Sequence, residues 1–460
     1  MDETTVNGGR RASDVVVFAF PRHGHMSPML QFSKRLVSKG LRVTFLITTS
    51  ATESLRLNLP PSSSLDLQVI SDVPESNDIA TLEGYLRSFK ATVSKTLADF
   101  IDGIGNPPKF IVYDSVMPWV QEVARGRGLD AAPFFTQSSA VNHILNHVYG
   151  GSLSIPAPEN TAVSLPSMPV LQAEDLPAFP DDPEVVMNFM TSQFSNFQDA
   201  KWIFFNTFDQ LECKKQSQVV NWMADRWPIK TVGPTIPSAY LDDGRLEDDR
   251  AFGLNLLKPE DGKNTRQWQW LDSKDTASVL YISFGSLAIL QEEQVKELAY
   301  FLKDTNLSFL WVLRDSELQK LPHNFVQETS HRGLVVNWCS QLQVLSHRAV
   351  SCFVTHCGWN STLEALSLGV PMVAIPQWVD QTTNAKFVAD VWRVGVRVKK
   401  KDERIVTKEE LEASIRQVVQ GEGRNEFKHN AIKWKKLAKE AVDEGGSSDK
   451  NIEEFVKTIA

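Results

Sequence analysis

Cysteine is scarce in this chain of 460 residues, which holds only Cys213, Cys339, Cys352 and Cys357. No two of them form a Cys-x-x-Cys pair, so the sequence carries no signature of a zinc knuckle or of a dithiol redox site. Four scattered cysteines also give no disulfide framework, which favours a reducing compartment. We therefore expect a cytoplasmic protein.

Long apolar runs and an excess of positive charge are also missing. No run approaches the roughly 18 apolar residues that a membrane-spanning helix needs, and the first one, residues 15–20, is shorter than the apolar core of a secretory signal. We expect no stable membrane insertion. A net charge of -8 disfavours nucleic acid as a partner, since its phosphates are bound by Lys and Arg. No Asp-x-Asp pattern occurs either, so the sequence predicts no metal site of that type.

Short apolar runs alternate with helical patterns along the chain. Continuous runs of Val, Ile and Phe are typical of strands that are buried on both faces of a parallel sheet. We predict such strands at residues 15–20, 41–47, 110–113, 203–205, 279–284, 309–313, 334–336, 352–355 and 372–375. The alternation indicates an α/β fold in which helices cover both faces of parallel sheets.

An acidic segment with few strand or helix signals divides this pattern into two halves. We predict an N-terminal domain at residues 1–240, a linker at 241–262 and a C-terminal domain at 263–440. Residues 441–460 carry apolar side chains at helical spacing, which predicts a final amphipathic helix that docks on the N-terminal domain. Two such domains enclose a cleft, and α/β sheets bind ligands beyond the carboxyl ends of their strands.

Two polar residues follow predicted strands in the first domain. His25 comes after the first strand, and Ser27 with Pro28 predicts a helix start just beyond it, which places His25 on a loop. Asp114 follows the strand at 110–113. A neutral imidazole is suited to act as a base near pH 7, and a carboxylate that bonds its other nitrogen fixes the tautomer. Alternatively, Asp114 caps a helix and His25 is structural.

In the second domain, the predicted strand at 352–355 is followed by a glycine-containing turn and a helical pattern. Such a unit directs backbone N–H groups and the positive end of the helix dipole towards an anion, so we expect a diphosphate site there. A simple capping box, in which Ser361 pairs with Glu364, is the alternative. His356 and Cys357 could be metal ligands, but no further Cys or His lies at ligand spacing.

Residues 338–381 form a segment of 44 residues that carries many spaced signals. It begins Trp-Cys-Ser-Gln, contains His-Cys-Gly-Trp-Asn-Ser-Thr-Leu-Glu and ends Pro-Gln-Trp-Val-Asp-Gln. In length and at nearly every diagnostic position it resembles the signature box of the plant secondary-product UDP-glycosyltransferases, and the surrounding chain is similar to that family essentially from end to end. The resemblance implies a GT-B fold, in which two Rossmann-like domains face a central cleft. It also implies UDP-glucose as the donor substrate, with no other cofactor.

The resemblance further implies a role for each residue of the donor site. Uracil and ribose are expected against Trp338, Cys339, Gln341 and Glu364. The diphosphate is expected against Ser286, His356, Asn360 and Ser361. The sugar is expected against Thr136, Trp359, Asp380 and Gln381. Gln381 is the form that the family associates with glucose, and Trp359 in place of Arg disfavours a glucuronate donor. Trp338 could instead be an ordinary core aromatic.

The catalytic residues are implied in the same way. The family's Pro-x-x-Gly-His motif matches Pro21 to His25, and its catalytic Asp corresponds to Asp114. The resemblance therefore favours a pair in which His25 removes the proton of the acceptor hydroxyl, with inversion at the sugar and no metal ion. One departure is Arg22-His23, where the family often has Ala-Gln. The roles of Arg22 and His23 stay open.

The acceptor site is the part that the sequence specifies least. Candidate lining residues follow strand ends or lie in loops of the N-terminal domain: Met117, Trp119, Phe135, Leu145, Met187 and Phe189. Their apolar character suits a bulky hydrophobic molecule, although each could equally belong to the core. The chain is most similar to the plant subgroup that glucosylates triterpenoids, phenolic acids and auxin, and in detail to glucosyltransferases of mogrol-type triterpenoids. This predicts a triterpenoid hydroxyl as the acceptor, with a carboxylic acid or a flavonoid as alternatives.

Other classes of protein fit less well. The nearest dinucleotide fingerprint, Gly-x-Gly at residues 103–105, lacks its third Gly and precedes a strand, which disfavours a nicotinamide dehydrogenase. No Gly-x-Ser-x-Gly elbow is present, so a serine hydrolase is not indicated. A non-catalytic binder of nucleotide sugars would keep the signature box but would not need His25 and Asp114. The sequence therefore favours an enzyme.

Overall fold

The computed structural model describes residues 14–54, 64–74, 81–179, 182–212, 219–241, 266–399 and 405–459. Within these ranges the strands are Val15–Phe18 (β1), Val43–Thr48 (β2), Leu65–Ile70 (β3), Phe110–Asp114 (β4), Asp130–Phe135 (β5), Ala162–Val163 (β6), Leu171–Gln172 (β7), Ile203–Phe205 (β8), Ile229–Thr231 (β9), Val279–Ser283 (β10), Ser308–Val312 (β11), Gly333–Val336 (β12), Val350–Thr355 (β13), Met372–Ala374 (β14) and Gly395–Arg397 (β15). Apart from Leu241, the predicted linker at 241–262 lies outside the described residues, and so does Cys213.

The first sheet contains seven strands in the order β3-β2-β1-β4-β5-β8-β9. Its central strands β1 and β4 are fully buried runs of mainly apolar residues, as the sequence predicts. The sequence prediction misses β3, β5 and β9. β3 is an edge strand with polar and partly exposed residues, β5 begins at Asp130 and includes Pro133, and β9 has only three residues. None of them shows the continuous apolar run of a central strand.

The second sheet contains six parallel strands in the order β12-β11-β10-β13-β14-β15. Counted along the chain, this is the order 3-2-1-4-5-6 of a Rossmann sheet. In both sheets the order reverses between two central strands, β1 and β4 in the first and β10 and β13 in the second. Register pairs Phe18 with Tyr113 and Ser283 with Thr355 at these points. Ligands of α/β sheets bind beyond such switch points, so both deserve inspection.

Helices surround the two sheets. The α-helices are His23–Ser38 (α1), Leu82–Asp102 (α2), Trp119–Arg125 (α3), Ser139–Tyr149 (α4), Pro183–Ser192 (α5), Asp209–Glu212 (α6), Val219–Ala224 (α7), Ser238–Leu241 (α8), Arg266–Asp272 (α9), Glu292–Asp304 (α10), Asp315–Leu318 (α11), Phe325–Thr329 (α12), Gln341–Ser346 (α13), Trp359–Leu368 (α14), Gln381–Lys386 (α15), Lys408–Val419 (α16), Arg424–Val442 (α17) and Ser447–Ile459 (α18). α16 begins after Thr407, whose side chain caps the helix by accepting from the Glu410 N–H. No helix in the described ranges is long and apolar enough to cross a membrane.

The final helix, α18, packs against the first sheet. Ile452, Phe455 and Ile459 join the apolar cluster that β1 and β2 form on one face of that sheet. The Phe455 ring lies 5.1 Å from the ring of Phe110 and 4.9 Å from that of Phe204. Burying a side chain of this size contributes about 2–3 kcal/mol. The chain therefore crosses from the second sheet back to the first before it ends.

Candidate active site

The first helix, α1, begins before His25. The sequence predicts a helix start at Ser27, but the structure places Arg22 at the N-cap and His23 as the first helical residue. The Arg22 carbonyl accepts from the His25 N–H at 2.9 Å, so the first turn closes almost directly after β1. Pro28 is the sixth residue of the helix instead of the first. The predictions of a Ser27 cap and of His25 on a loop are therefore wrong.

The first switch point brings His25 and Asp114 together. Nδ1 of His25 lies 2.8 Å from Oδ2 of Asp114 and 3.3 Å from Oγ1 of Thr136. The other carboxylate oxygen of Asp114 accepts from the Val116 N–H at 3.3 Å, so this residue also secures a backbone turn. Asp114 is fully buried, whereas a quarter of the His25 side chain is exposed. With Nδ1–H donated to Asp114, Nε2 of His25 carries the lone pair.

The charges around His25 raise its basicity. Burial lowers the pKa of His25, but the attraction and the hydrogen bond of Asp114 outweigh burial, so the pKa lies above its ordinary value of 6.5. Arg22 opposes this shift, and Asp380 adds to it from across the cleft. Burial lowers the pKa of His23, and no hydrogen bond to its side chain occurs within the described part of the chain. Of the two neighbouring histidines, only His25 has the carboxylate that a base requires.

The second switch point holds an imidazole between two glycines. His356 follows β13, Gly285 follows β10, and a Cβ atom on Gly285 would lie only 2.8 Å from Nε2 of His356. A Cβ atom on Gly358 would lie 2.6 Å from the same nitrogen. Both positions therefore need glycine because the ring packs directly on the backbone. Burial lowers the pKa of His356 to about 4, so the ring is neutral near pH 7 and can donate one N–H to an anion.

The helix that follows, α14, lacks the capping box considered above. Its N-cap is Gly358, without a side-chain cap, and Ser361 lies inside the first turn. Nε2 of Gln341 instead donates to Oγ of Ser361 at 2.9 Å and to Oε2 of Glu364 at 2.7 Å. Burial raises the pKa of Glu364 to about 7, although the Gln341 bond opposes this. These three side chains form one connected polar surface. The N-cap residue Gly358 offers no side-chain acceptor to the first N–H groups of α14, whereas the Asp380 carboxylate accepts from the Trp359 N–H.

The part of the donor site that is expected to hold the uracil lies after β12. Trp338 is partly exposed, which leaves part of its indole surface open to a ligand. Cys339 is buried, with its Sγ 3.6 Å from the hydroxyl of Tyr281. Ser286 is exposed in the turn after β10. The three residues named from the sequence thus sit at the carboxyl edge of the second sheet, where α/β proteins bind ligands.

Asp380 and Gln381 lie at the start of α15. Oε1 of Gln381 accepts from the backbone N–H groups of Gln377 (2.9 Å) and Trp378 (3.2 Å), which fixes the orientation of its amide. Burial raises the pKa of Asp380 to about 6, although its bond with Asn384 opposes this. Nδ2 of Asn384 donates to Oδ2 of Asp380 at 2.8 Å. The sequence analysis misses Asn384, whose position one helical turn after Asp380 is the signal for this contact.

Side chains of the first domain complete this region. Oγ of Ser138 donates to Oδ1 of Asn384 at 3.0 Å, so a hydrogen bond crosses between the domains near Thr136. The indole N–H of Trp359 donates to the Asn206 carbonyl at 2.7 Å, and only 3% of this residue is exposed. Its indole nitrogen is thus occupied by the protein. The expected contact of Trp359 with the sugar stays a prediction.

A buried ionic contact holds the loop that precedes Asp380. Asp175, 2% exposed, pairs with Arg397 and lies 3.4 Å from Nζ of Lys386. Beside it, the Val379 N–H donates to the Ala178 carbonyl at 2.6 Å. Val379 has a φ of 56°, which is unfavourable for a β-branched residue. A strained backbone conformation of this kind persists where the surrounding contacts impose it. The conformation of Val379 determines the orientation of the next residue, Asp380, whose carboxylate is expected at the sugar.

Residues of both domains line a small cleft beside the first turns of α1 and α14. Its lining residues are Ser27, Pro28, Asn206, Thr235, Ile236, Asn360, Leu363 and Glu364. Nδ2 of Asn360 bridges the domains by donating to the Gly24 carbonyl at 2.7 Å. Within the described ranges, no three His, Cys, Asp or Glu side chains are grouped so as to hold a metal ion.

Three of the six expected acceptor residues lie in the core. Phe135 and Leu145 have no exposed surface, and Met117 is 1% exposed. Phe135 packs against Phe194 and Phe205, with ring centroids 5.7 Å and 4.7 Å away. The core alternative describes these residues, because their neighbours in the protein already cover them. The expectation that they touch the acceptor is corrected accordingly.

Of the other three, Trp119 is also buried, with 8% exposed, whereas Met187 and Phe189 are partly exposed. Phe20, Phe89, Trp119 and Phe189 form an aromatic wall beside His25. The ring of Phe20 lies 5.5 Å from the imidazole of His25 and 5.7 Å from the partly buried ring of Phe189. Phe89 lies 5.4 Å from Phe20 and 6.5 Å from Trp119. Met187, on the same helix as Phe189, is also partly buried. The sequence analysis misses Phe20 and Phe89, although Phe20 directly precedes the Pro-x-x-Gly-His motif.

The fold and the two facing switch points define a class of protein. One switch point presents a histidine paired with a buried carboxylate, and the other presents a neutral imidazole beside a helix N-terminus. Two Rossmann-like domains with these features across a cleft form a nucleotide-dependent group-transfer enzyme.

Comparison with known proteins narrows the class to a family. Residues 248–442 match the family described as UDP-glucoronosyl and UDP-glucosyl transferase. The chain is 53% identical to mogroside I-E synthase of Siraitia grosvenorii, across 97% of this chain and 98% of that one. It is 43% identical to flavonol 7-O-beta-glucosyltransferase UGT74F1 of Arabidopsis thaliana, across 97% and 98%. The crystal structure of Os79 from O. sativa in complex with UDP has a TM-score of 0.86 at 36% identity, across 97% of this chain and 100% of that one.

The chain belongs to the UDP-glycosyltransferase family and is a UDP-glucosyltransferase with the GT-B fold. The predictions of family, fold and enzyme class are thereby confirmed.

Proposed function

We propose that this enzyme transfers glucose from UDP-glucose to a hydroxyl of a triterpenoid, with inversion at the anomeric carbon and without a metal ion. The single observation that carries the proposal is the 2.8 Å contact between His25 and Asp114 at the cleft, opposite the helix end of α14. A base is needed only where the acceptor group carries a proton of high pKa, and a hydroxyl is such a group.

The transfer is a single displacement. Nε2 of His25 takes the proton of the acceptor hydroxyl while the hydroxyl oxygen bonds the anomeric carbon. The bond from that carbon to the β-phosphate oxygen breaks, and UDP leaves from the opposite face. Asp114 stabilises the imidazolium that forms. Because attack and departure occur on opposite faces, an α-linked donor gives a β-linked product.

Groups of the protein stabilise the negative charge that develops on the leaving diphosphate. The N–H groups at the start of α14 and the positive end of its dipole attract negative charge. The neutral ring of His356, whose pKa burial lowers to about 4, adds an N–H donor. Trp338, Gln341 and Glu364 are arranged along the same edge for the nucleoside. This set supplies fixed dipoles where charge develops, and metal independence is proposed on that basis.

The acceptor proposal rests on the aromatic wall and on the relatives. Phe189 presents partly exposed apolar surface near His25, supported from behind by the buried rings of Phe20 and Phe89, which suits a rigid hydrophobic skeleton. A relative with 53% identity is named mogroside I-E synthase. Another is named a flavonol 7-O-beta-glucosyltransferase, so a flavonoid is the second candidate.

A panel of acceptors discriminates between these candidates. The enzyme is incubated with UDP-glucose and equal concentrations of a triterpenoid alcohol, a flavonol and an aromatic carboxylic acid, and mass spectrometry follows the gain of one hexose. We expect the triterpenoid to react with the highest kcat/KM. Preferred ester formation on the acid, with turnover that survives loss of His25, would contradict the proposal, since a carboxylate needs no base.

The pH dependence of kcat/KM reports the base. Since Asp114 holds the pKa of His25 above 6.5, kcat/KM should fall as the pH is lowered through a value above 6.5. In Asp114→Asn the burial that lowers this pKa remains while the charge that raises it is gone, so the acid limb should move to lower pH. The plateau should also fall by about 10²–10⁴-fold, because the tautomer is no longer fixed. An unchanged acid limb would assign it to another group.

Truncation of the aromatic wall tests the acceptor site. Phe189→Ala removes apolar surface near His25 but touches no expected donor residue. We expect KM for the triterpenoid to rise about tenfold, the effect of losing about 1–2 kcal/mol of apolar contact, with KM for UDP-glucose unchanged. Leu145→Ala provides the contrast, because this core side chain should lower thermal stability without a selective effect on the acceptor.

A further inference from the structure

A proline interrupts the hydrogen bonding of the helix that carries the base. Pro28 is inside α1, and a proline has no N–H to donate to the carbonyl four residues earlier. That carbonyl belongs to Gly24, the residue before His25. The proline ring also pushes the carbonyl away from the helix axis. The Gly24 oxygen is therefore available to a partner outside the helix.

The partner comes from the opposite domain. Nδ2 of Asn360 donates to the Gly24 oxygen at 2.7 Å, and Asn360 lies in the first turn of α14. Pro28 and Asn360 line the same cleft. One hydrogen bond thus connects the turn that holds the base to the helix end that faces the leaving diphosphate. Loss of this contact would let the two switch points separate.

We propose that Pro28 is a positioning residue. It keeps the Gly24 carbonyl free to accept from Asn360, and this hydrogen bond holds the first turn of α1, which carries His25, against the start of α14, where the diphosphate is expected. This role rests on the proposed function. With an N–H at position 28, the Gly24 carbonyl would turn back towards the helix axis and bond within α1. Asn360 would then lose its acceptor, and the closed arrangement of the cleft would be less populated.

The replacement Pro28→Ala separates this role from a structural one. Alanine is favoured over proline inside a helix by about 3 kcal/mol, so the thermal midpoint should not fall. We expect kcat/KM for UDP-glucose to drop about tenfold, the scale of one lost hydrogen bond. Pro183→Ala is the matched control, because Pro183 occupies the first turn of α5, where no N–H is needed. Its KM for UDP-glucose should stay unchanged.

A double-mutant cycle with Asn360→Ala makes the test specific. If Pro28 acts through Asn360, the loss caused by Pro28→Ala should largely disappear in the Asn360→Ala background. Additive effects, or full activity in Pro28→Ala, would overturn the proposal. The same double-mutant cycle can be measured without turnover, from the Kd of UDP-glucose determined by calorimetry in the absence of acceptor. If the wild-type protein binds UDP-glucose and shows this coupling but transfers no hexose, the proposed function fails while the role of Pro28 stands.

Discussion

Replacement of His25 by alanine is expected to lower kcat by about 10²–10⁴-fold with a hydroxyl acceptor, the range for loss of a general base. The binding of UDP-glucose should change little, since all the expected donor residues except Thr136 lie in the second domain. Stability should not limit the result, because His25 is partly exposed and occupies the first turn of α1. Initial rates with saturating donor, together with calorimetric binding of UDP-glucose, separate the two effects.

His23→Ala is the matched control for this experiment. His23 lies two residues away in the same turn, and no carboxylate in the described residues bonds it. We expect its kcat to stay within about threefold of wild type, as for substitutions outside the reacting groups. The opposite pattern, with turnover lost in His23→Ala and kept in His25→Ala, would show that the base is assigned to the wrong histidine.

The second large effect is expected from a single methyl group at Gly358. Its φ of −57° and ψ of 146° are accessible to alanine, so Gly358→Ala introduces no backbone strain. The new Cβ, however, would lie 2.6 Å from Nε2 of His356. The ring has no room to shift within its present site because it also packs on Gly285. We expect the ring to leave its position and Kd for UDP to rise about 10- to 100-fold, since overpacking costs about 1–3 kcal/mol.

Gly105→Ala controls for the general effect of replacing glycine. No atom lies within 4 Å of a Cβ built at Gly105. Gly105 precedes the amino end of β4, whereas the first switch point is at the carboxyl end of that strand. Its Kd for UDP should equal that of wild type. If Gly358→Ala also binds UDP with wild-type affinity, then His356 does not contact the diphosphate, and the anion site must depend on the α14 backbone alone.

Much of the fold follows from the apolar runs. The central strands β1, β4, β10 and β13 are buried on both faces, so their composition alone reveals them. Edge strands such as β3 and β15 are short or partly exposed and carry no such signal. Since the central strands also form both switch points, the sequence locates these two strand edges even where it misses other strands.

The site shows a similar division. Residues at or soon after the ends of central strands, such as His25, Asp114 and His356, can be located from chain position because parallel strands end at a common edge. Contacts between the domains, such as Asn360 with Gly24 and Ser138 with Asn384, depend on how two sheets face each other, and no local pattern encodes that. The sequence also mispredicts the start of α1. A proline is common in the first turn of a helix, but Pro28 is the sixth residue of α1.

The central claim is tested most directly by two measurements: the anomeric configuration of the glucoside and the effect of metal removal on its formation. The enzyme is incubated with UDP-glucose, which is α-linked, a triterpenoid alcohol and excess EDTA, and the anomeric proton coupling of the purified glucoside is measured by NMR. The account predicts a β-glucoside, formed at the same rate with and without EDTA and about 10²–10⁴-fold more slowly with His25→Ala. An α-glucoside, or a reaction that EDTA abolishes, would contradict a metal-free inverting displacement driven by the His25–Asp114 pair.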